Sequence, residues 1–271
     1  MLINGRSDKL IDAADRGLQY GDGLFETLAV VGGRPCLWHR HMQRLNRGCE
    51  RLKIPFPGSD QLFREVLQEL GSTERAVVKI ILTRGCGGRG YRPPLIQNPN
   101  RMVFSFPWPR YPRDAQRDGV KVGVCSTRLG LNPGLAGLKT LNRLEQVLAQ
   151  SEWKEGSVAE GLMLDTNDHV IEGTMSNLFL LRGGILITPD LSHCGTAGVM
   201  REFIIDTVRR RKLELKVGTV GLDDLREADG LFLSNSLIGI WPVRELAGRT
   251  FDPRAIDPPL VNEVLERGFQ H

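Results

Sequence analysis

The chain has 271 residues, 41% of them hydrophobic and 25% charged, with a formal net charge of +4. That length suffices for one large domain or two ordinary ones around a sizeable core, and the composition is that of a soluble globular protein. The small, scattered positive charge argues against a nucleic-acid partner, and no apolar run approaches the roughly 20 residues that span a bilayer, so a membrane partner is not expected either.

The elements follow in order. Met1–Asn4 reads as a short strand closed by a turn at Gly5-Arg6. In Asp15–Thr27 (DRGLQYGDGLFET) three glycines interrupt a potential helix, and Phe25–Val31 is strand-like up to the hairpin signal Gly32-Gly33. Leu37, Met42, Leu45, Cys49 and Leu52 recur at helical spacing, with Arg40, Arg44, Arg47 and Arg51 on other faces. Pro55 and Pro57 stop that helix, and Gln61–Leu70 supplies another. Val77–Thr83 is a strand, followed by the glycine-rich Arg84–Pro94 and a strand at Arg101–Phe106.

Pro107–Asp118 is proline-punctuated and polar, the best linker in the chain. Beyond it the pattern predicts a strand at Val120–Cys125, a helix over about 142–154, and short strands at Glu160–Asp165, Val170–Glu172, Asn177–Leu181 and Ile185–Thr188. A helix over 200–211, strands at Leu215–Val220 and Leu231–Ser234, and a last helix at Val261–Arg267 complete it. The sum is α+β in two parts, with boundaries expected at 1–110, a linker over 111–118, and 119–271. Five cysteines, odd in number and without a CxxC pair, argue against a disulfide framework or a zinc site. With no signal pattern in MLINGRSD, the expectation is a reducing, cytoplasmic compartment.

Only eight lysines stand against twenty-eight arginines. Lysine is the one of the two that can lose its proton when desolvated and attack a carbonyl. Lys139, in GLKTLNRLEQ, follows an irregular polar stretch and precedes a helical run. Glu172 ends a strand and is placed to meet a buried positive nitrogen. Gly195–Glu202 is a glycine turn feeding a helix whose first amides can bind an anion. Ser234-Asn235-Ser236 adds hydroxyls, and Arg44 a fork-shaped donor for phosphate. Each alone also reads as ordinary structure: a solvated lysine, a turn carboxylate, a helix start, a polar turn. Together they are what pyridoxal phosphate needs.

YGDGLFET at Tyr20–Thr27, HMQRL at His41–Leu45, LKTLNRLEQ, EGTMSNLF at Glu172–Phe179, GVMRE at Gly198–Glu202 and SNS at Ser234–Ser236 stand in the order found in the fold type IV pyridoxal phosphate enzymes. The sequence resembles that family over nearly its whole length. The family holds branched-chain aminotransferases, D-amino acid aminotransferases and 4-amino-4-deoxychorismate lyases. RGCGGRGY at Arg84–Tyr91 and Arg128–Leu148 lean toward the lyases.

The resemblance implies a small N-terminal α/β domain, a larger β-rich C-terminal domain carrying the cofactor lysine, a homodimer, and pyridoxal 5'-phosphate held between the domains. It implies Lys139 as the lysine joined to the cofactor, Glu172 at the pyridine nitrogen, and Arg44, the amides of Val199 and Met200, and Ser236 at the phosphate. Asn177 is implied in the cofactor-side turn. It implies a small-molecule substrate with two carboxylates, for which Arg84, Arg89 and Arg92 are candidates. The expected activity is formation of 4-aminobenzoate and pyruvate for folate synthesis. The alternatives are a D-amino acid or branched-chain aminotransferase and a non-catalytic scaffold. Leu144 stands where branched-chain aminotransferases carry a tyrosine, which weakens the first alternative.

Overall fold

The computed structural model describes residues 1–112, 114–154 and 156–270; Arg113, inside the expected linker, lies outside the described residues. The described residues form two compact units, Met1–Pro109 with Leu138–Asn142 and residues 269–270, and Arg110–Gly137 with Arg143–Gly268.

The first unit is built on β1 (Leu2–Ile3), β2 (Arg6–Ser7), α1 (Arg16–Tyr20), β3 (Gly23–Val31), β4 (Arg34–Pro35), α2 (Trp38–Leu52), α3 (Ser59–Leu70), β5 (Ala76–Thr83) and β6 (Asn100–Phe106). Its six strands form an antiparallel sheet in the order β2-β1-β6-β5-β3-β4. Register Leu24↔Leu82, Glu26↔Ile80 and Leu28↔Val78 fixes the faces. Side chains alternate along a strand, so Leu24, Leu28, Val78, Ile80, Leu82 and Val103 share one face. They pack on Met42, Leu45 and Cys49 of α2 and Leu62, Val66 and Leu70 of α3. Phe25, Thr27, Lys79 and Ile81 take the other face and are half-buried.

The second unit comprises α4 (Ala115–Asp118), β7 (Val120–Leu129), α5 (Leu144–Ser151), β8 (Glu160–Asp165), β9 (Val170–Gly173), β10 (Asn177–Arg182), β11 (Ile185–Pro189), α6 (Val199–Arg210), β12 (Leu215–Gly218), α7 (Leu222–Glu227), β13 (Gly230–Asn235), β14 (Gly239–Leu246), β15 (Arg249–Thr250) and α8 (Pro258–Gly268). Because β9 pairs with both β8 and β10, the strands β10, β13, β14, β7, β8 and β9 close into a ring, extended by β11 and β12. Val122, Leu162, Leu164, Val170, Leu178, Leu180, Leu231, Leu233 and Val243, drawn from all six strands, meet in one cluster, as the interior of a closed sheet requires.

Two expectations about the boundaries change. Residues 115–118 of the expected linker form α4, with Ala115 buried in the second unit's core. Lys139, expected in the C-terminal domain, belongs with its neighbours to the first unit. The Phe25 amide donates to the Lys139 carbonyl (3.0 Å), Leu141 N donates to Gly23 O (3.0 Å), and Leu24 bridges Thr140. These are pairings between residues more than a hundred positions apart, and local sequence carries no trace of them. β14 was also not expected: Pro242 sits inside it, and proline ordinarily ends a strand. Here Pro242 is in register with Phe232 on β13, while the pairing with β7 starts only at Val243↔Val120, so among the described residues the proline has no partner on that side.

Candidate active site

Within the first unit, Lys139 is half-buried, its Nζ 4.4 Å from the centroid of the Phe25 ring. Arg44 projects from α2 and is buried against Glu26: Nε donates to Oε1 at 2.9 Å and an Nη to Oε2. His41, one turn earlier on α2, holds the same carboxylate through Nδ1 at 2.6 Å. Spacing i, i+3 puts His41 and Arg44 on one helix face, opposite Glu26 on β3.

Burial works to raise the Glu26 pKa, but the Arg44 charge and the hydrogen bonds from His41 and Arg44 outweigh it and hold Glu26 down at about 2. For His41 burial is the largest influence and lowers its pKa, the Glu26 carboxylate opposing and the Arg44 and Lys139 charges assisting. Neutral His41 against an ionised Glu26 places the proton on Nδ1, since a carboxylate can only accept.

The three arginines proposed for substrate carboxylates separate. Arg84 is buried, and all its donors are committed. Nε and Nη2 hold Asp22 at 2.7 and 2.9 Å, Nη1 reaches Lys53 O and Gln97 Oε1 at 2.8 and 2.9 Å, and Nη2 also reaches Leu52 O at 2.8 Å. The two carbonyls end α2, so Arg84 caps that helix with charge of the favourable sign. A guanidinium with five bonds has no donor left for a ligand, and Arg84 is corrected from substrate contact to structural anchor. Arg89 and Arg92 are exposed in the loop that follows. Arg16 holds that loop by the carbonyls of Gly90 and Tyr91 at 2.9 and 3.0 Å.

Within the second unit, Glu172, Asn177 and Ser234 form a cross-strand row over β9, β10 and β13, paired Asn177↔Glu172 and Asn177↔Ser234. Directly opposed residues point to the same side of a sheet. Glu172 is 5% exposed, and its Oε2 accepts the Thr196 amide at 2.8 Å. Asn177 Nδ2 donates to Thr196 O at 2.9 Å. The segment 195–197 is in turn tied to Gly137, whose amide donates to Gly195 O (2.9 Å) and whose carbonyl accepts from Ala197 (3.1 Å). Arg143 Nη1 donates to Thr196 Oγ1 at 3.3 Å.

Helix α6 opens at Gly198 with no side-chain cap, leaving the Val199 and Met200 amides as first-turn donors aimed out of the helix end. A Cβ on Gly198 would stand 2.0 Å from Asn177 Oδ1, so only glycine lets that amide lie against the start of the helix. Asn235 Oδ1 accepts from Leu237 N and Ile238 N at 2.8 and 3.0 Å, building the turn that presents Ser236. Ser234 Oγ is fully buried and has no protein partner among the described residues.

Glu160 was missed from sequence. It accepts from the Thr174 and Ser176 hydroxyls and the Met175 amide, so the turn joining Glu172 to Asn177 wraps around it. Burial raises its pKa against those hydrogen bonds. Glu26 and His41 were missed too, although both lie in the blocks that carried the resemblance.

An amine, a buried carboxylate held by an amide, an uncapped helix start and an orphaned buried hydroxyl fit pyridoxal phosphate by donor chemistry. Among the described residues no His, Cys, Asp and Glu cluster could hold a metal ion. No helix of the described residues is long and apolar enough to cross a membrane.

The model of the family described as amino-transferase class IV matches residues 23–246. Over 258 residues the chain is 37% identical to an aminodeoxychorismate lyase of Vibrio harveyi, covering 95% of this chain and 94% of that one. Over 256 residues it is 27% identical to a D-alanine aminotransferase of Listeria monocytogenes serotype 1/2a, covering 90% and 84%. The crystal structure of 4-amino-4-deoxychorismate lyase from Pseudomonas aeruginosa matches with a TM-score of 0.95 at 43% identity, covering 99% of each chain.

Proposed function

The chain belongs to the amino-transferase class IV family, and from that membership we propose that it is a pyridoxal-phosphate-dependent lyase converting 4-amino-4-deoxychorismate to 4-aminobenzoate and pyruvate, a step of folate synthesis. The observation that carries this reading is the near full-length likeness to two lyases, stronger than that to the D-alanine aminotransferase. Leu144, exposed at the start of α5, offers no ring hydroxyl of the kind the branched-chain aminotransferases carry there.

Pyridoxal phosphate, when bound, supplies an electron sink for the carbon bearing the amine. Lys139 is assigned to holding the cofactor and then, as a free amine, to removing the proton from the amine-bearing ring carbon. Glu172 is assigned to the pyridine nitrogen, which it keeps protonated; its fixed contact with Thr196 N orients the carboxylate. Asn177 braces the same backbone segment. The Val199 and Met200 amides, Ser236 and Arg44 are assigned to the phosphate, with Glu26 and His41 setting the Arg44 side chain. Expulsion of the enolpyruvyl oxygen makes the ring aromatic, which favours elimination over amino transfer.

A homodimer in the cytoplasm is part of the same proposal. It is supported by the resemblance and, for the compartment, by five free cysteines. The test is pyruvate release from aminodeoxychorismate with no oxo acid added, read through lactate dehydrogenase. Dependence on 2-oxoglutarate would replace the lyase with an aminotransferase, and a purified protein that takes up no pyridoxal phosphate would remove both.

A further inference from the structure

Glu160 stands on β8 two positions before Leu162, so its side chain shares the interior side of the closed sheet with Leu162 and Leu164. It is 5% exposed, and an apolar residue would fill that place without the cost of burying a carboxylate. Three of its donors come from one turn: the Thr174 hydroxyl, the Met175 amide at 3.2 Å and the Ser176 hydroxyl at 2.9 Å. The Gly161 amide adds a fourth at 3.2 Å, and Gln150 of α5 donates to Thr174 Oγ1 from behind.

That turn, residues 173–176, links Glu172 to Asn177, which are paired across the hairpin. Met175 at its tip is 66% exposed, so hydrogen bonds rather than apolar packing hold the turn in place. Asn235 Nδ2 donates to Met175 O at 3.1 Å on one side, and Glu160 holds the other. A Cβ on Gly173 would stand 2.3 Å from Ser176 Oγ and 2.9 Å from Glu160 Cγ, so the chain is coiled against the acid without slack. At the ends of the turn, Glu172 and Asn177 close on a single residue. Glu172 Oε2 accepts from Thr196 N at 2.8 Å, while Asn177 Nδ2 donates to Thr196 O at 2.9 Å. Both bonds form together only at one spacing of the hairpin ends.

We propose that Glu160 is a positioning residue: it fixes the 173–176 turn so that Glu172 and Asn177 grip Thr196 together, and thereby aims the Glu172 carboxylate. The inference rests on the function proposed above, in which Glu172 meets the pyridine nitrogen. Glutamine at 160 keeps the size but replaces one acceptor oxygen with a donor that faces the turn's own donors.

The experiment compares wild type, Glu160→Gln, Ser176→Ala and their double variant as full-length holoproteins, by pyruvate release from aminodeoxychorismate, visible cofactor spectra and calorimetry. Glu160→Gln should lower kcat about tenfold or more with KM within about twofold, and should shift the visible cofactor band, because the acid is misaimed rather than removed. Ser176→Ala should lower kcat severalfold, and the double variant should be no worse than Glu160→Gln by more than about twofold, since both act through one turn. A lowered Tm with kcat and spectrum unchanged overturns the proposal and leaves Glu160 a structural acid. Multiplying effects in the double variant also overturn it. Should Glu160→Gln not fold, Thr174→Val and Ser176→Ala each remove one hydroxyl from the same carboxylate, and a wild-type kcat in both overturns the proposal. Wild type that releases no pyruvate overturns the lyase reading and this inference together; active wild type with unaltered variants overturns the inference alone.

Discussion

Arg84 grips Asp22 with two arms, Nε on Oδ2 at 2.7 Å and Nη2 on Oδ1 at 2.9 Å, while its remaining donors hold the last carbonyls of α2. Arg16 shares the same carboxylate at 2.8 Å. Arg84→Ala should therefore cost on the order of 3 kcal/mol, by removing a buried pair and a helix cap at once. Calorimetry should show a Tm lower by several degrees, whereas Arg89→Ala and Arg92→Ala, on exposed side chains, should leave Tm within about a degree. An unchanged Tm with raised KM in Arg84→Ala would return Arg84 to the substrate.

Removal of the amine at position 139 should abolish both uptake of the cofactor chromophore and turnover. Lys139→Ala is expected to lose pyruvate release by at least about 10³-fold, the scale of a missing acid–base group. Far-ultraviolet circular dichroism should remain that of the wild type. Activity within tenfold of wild type would assign the chemistry elsewhere.

Glu172→Gln keeps the shape and an acceptor for Thr196 N but cannot stabilise a positive pyridine nitrogen. Cofactor affinity should fall by less than about tenfold and kcat by about 10² or more, since the charge matters most as electrons arrive on the ring. Rapid-quench measurement of pyruvate separates this from a loss of binding. Equal damage to both constants would make Glu172 a packing residue.

Gly198→Ala places a methyl carbon 2.0 Å from Asn177 Oδ1, inside any tolerable contact. Either Asn177 swings off the 195–197 segment or the start of α6 shifts. The cost should be about 1–3 kcal/mol, with weaker retention of pyridoxal phosphate on dialysis. The double change Gly198→Ala with Asn177→Ala should recover part of the stability, because it removes the collision.

Acid should loosen the first unit in two stages. The His41 pKa is lowered from 6.5 in the folded chain, so the unfolded chain binds the extra proton and stability begins to fall below that pH. Glu26, held at about 2 against an ordinary 4.5, contributes stability that is whole above 4.5 and lost as pH falls toward 2. The second stage is on the order of 3 kcal/mol. Urea midpoints recorded from pH 7.5 to 3 should fall monotonically, and Glu26→Gln should flatten the lower stage.

Alternation and helical spacing gave away the strands and helices whose faces are plainly two-sided. Phe25–Val31, Val77–Thr83 and the helix through Met42 and Leu45 are of that kind, because burial on one face writes itself into the order of residues. The candidate residues Lys139, Glu172, Asn177 and Arg44 are each nameable from sequence because they stand in contiguous blocks that carry the family resemblance. What escaped depends on contacts between distant stretches. Arg84 reads as available in the sequence, but the carbonyls of Leu52 and Lys53 lie against it, and Lys139 belongs to the first unit because its carbonyl accepts from Phe25 N while Leu141 N, two residues on, donates to Gly23 O. Glu160 had no local signature at all, since its partners Thr174, Met175 and Ser176 lie on the next hairpin.

The closed sheet has one rung where its circle is completed between β9 and β10, and that rung is Asn177 with Glu172. The acid assigned to the cofactor thus doubles as the clasp of the ring. Heat that frays this joint would misplace the carboxylate before the cylinder itself comes apart, so the protein should fall silent some degrees below the temperature at which it melts.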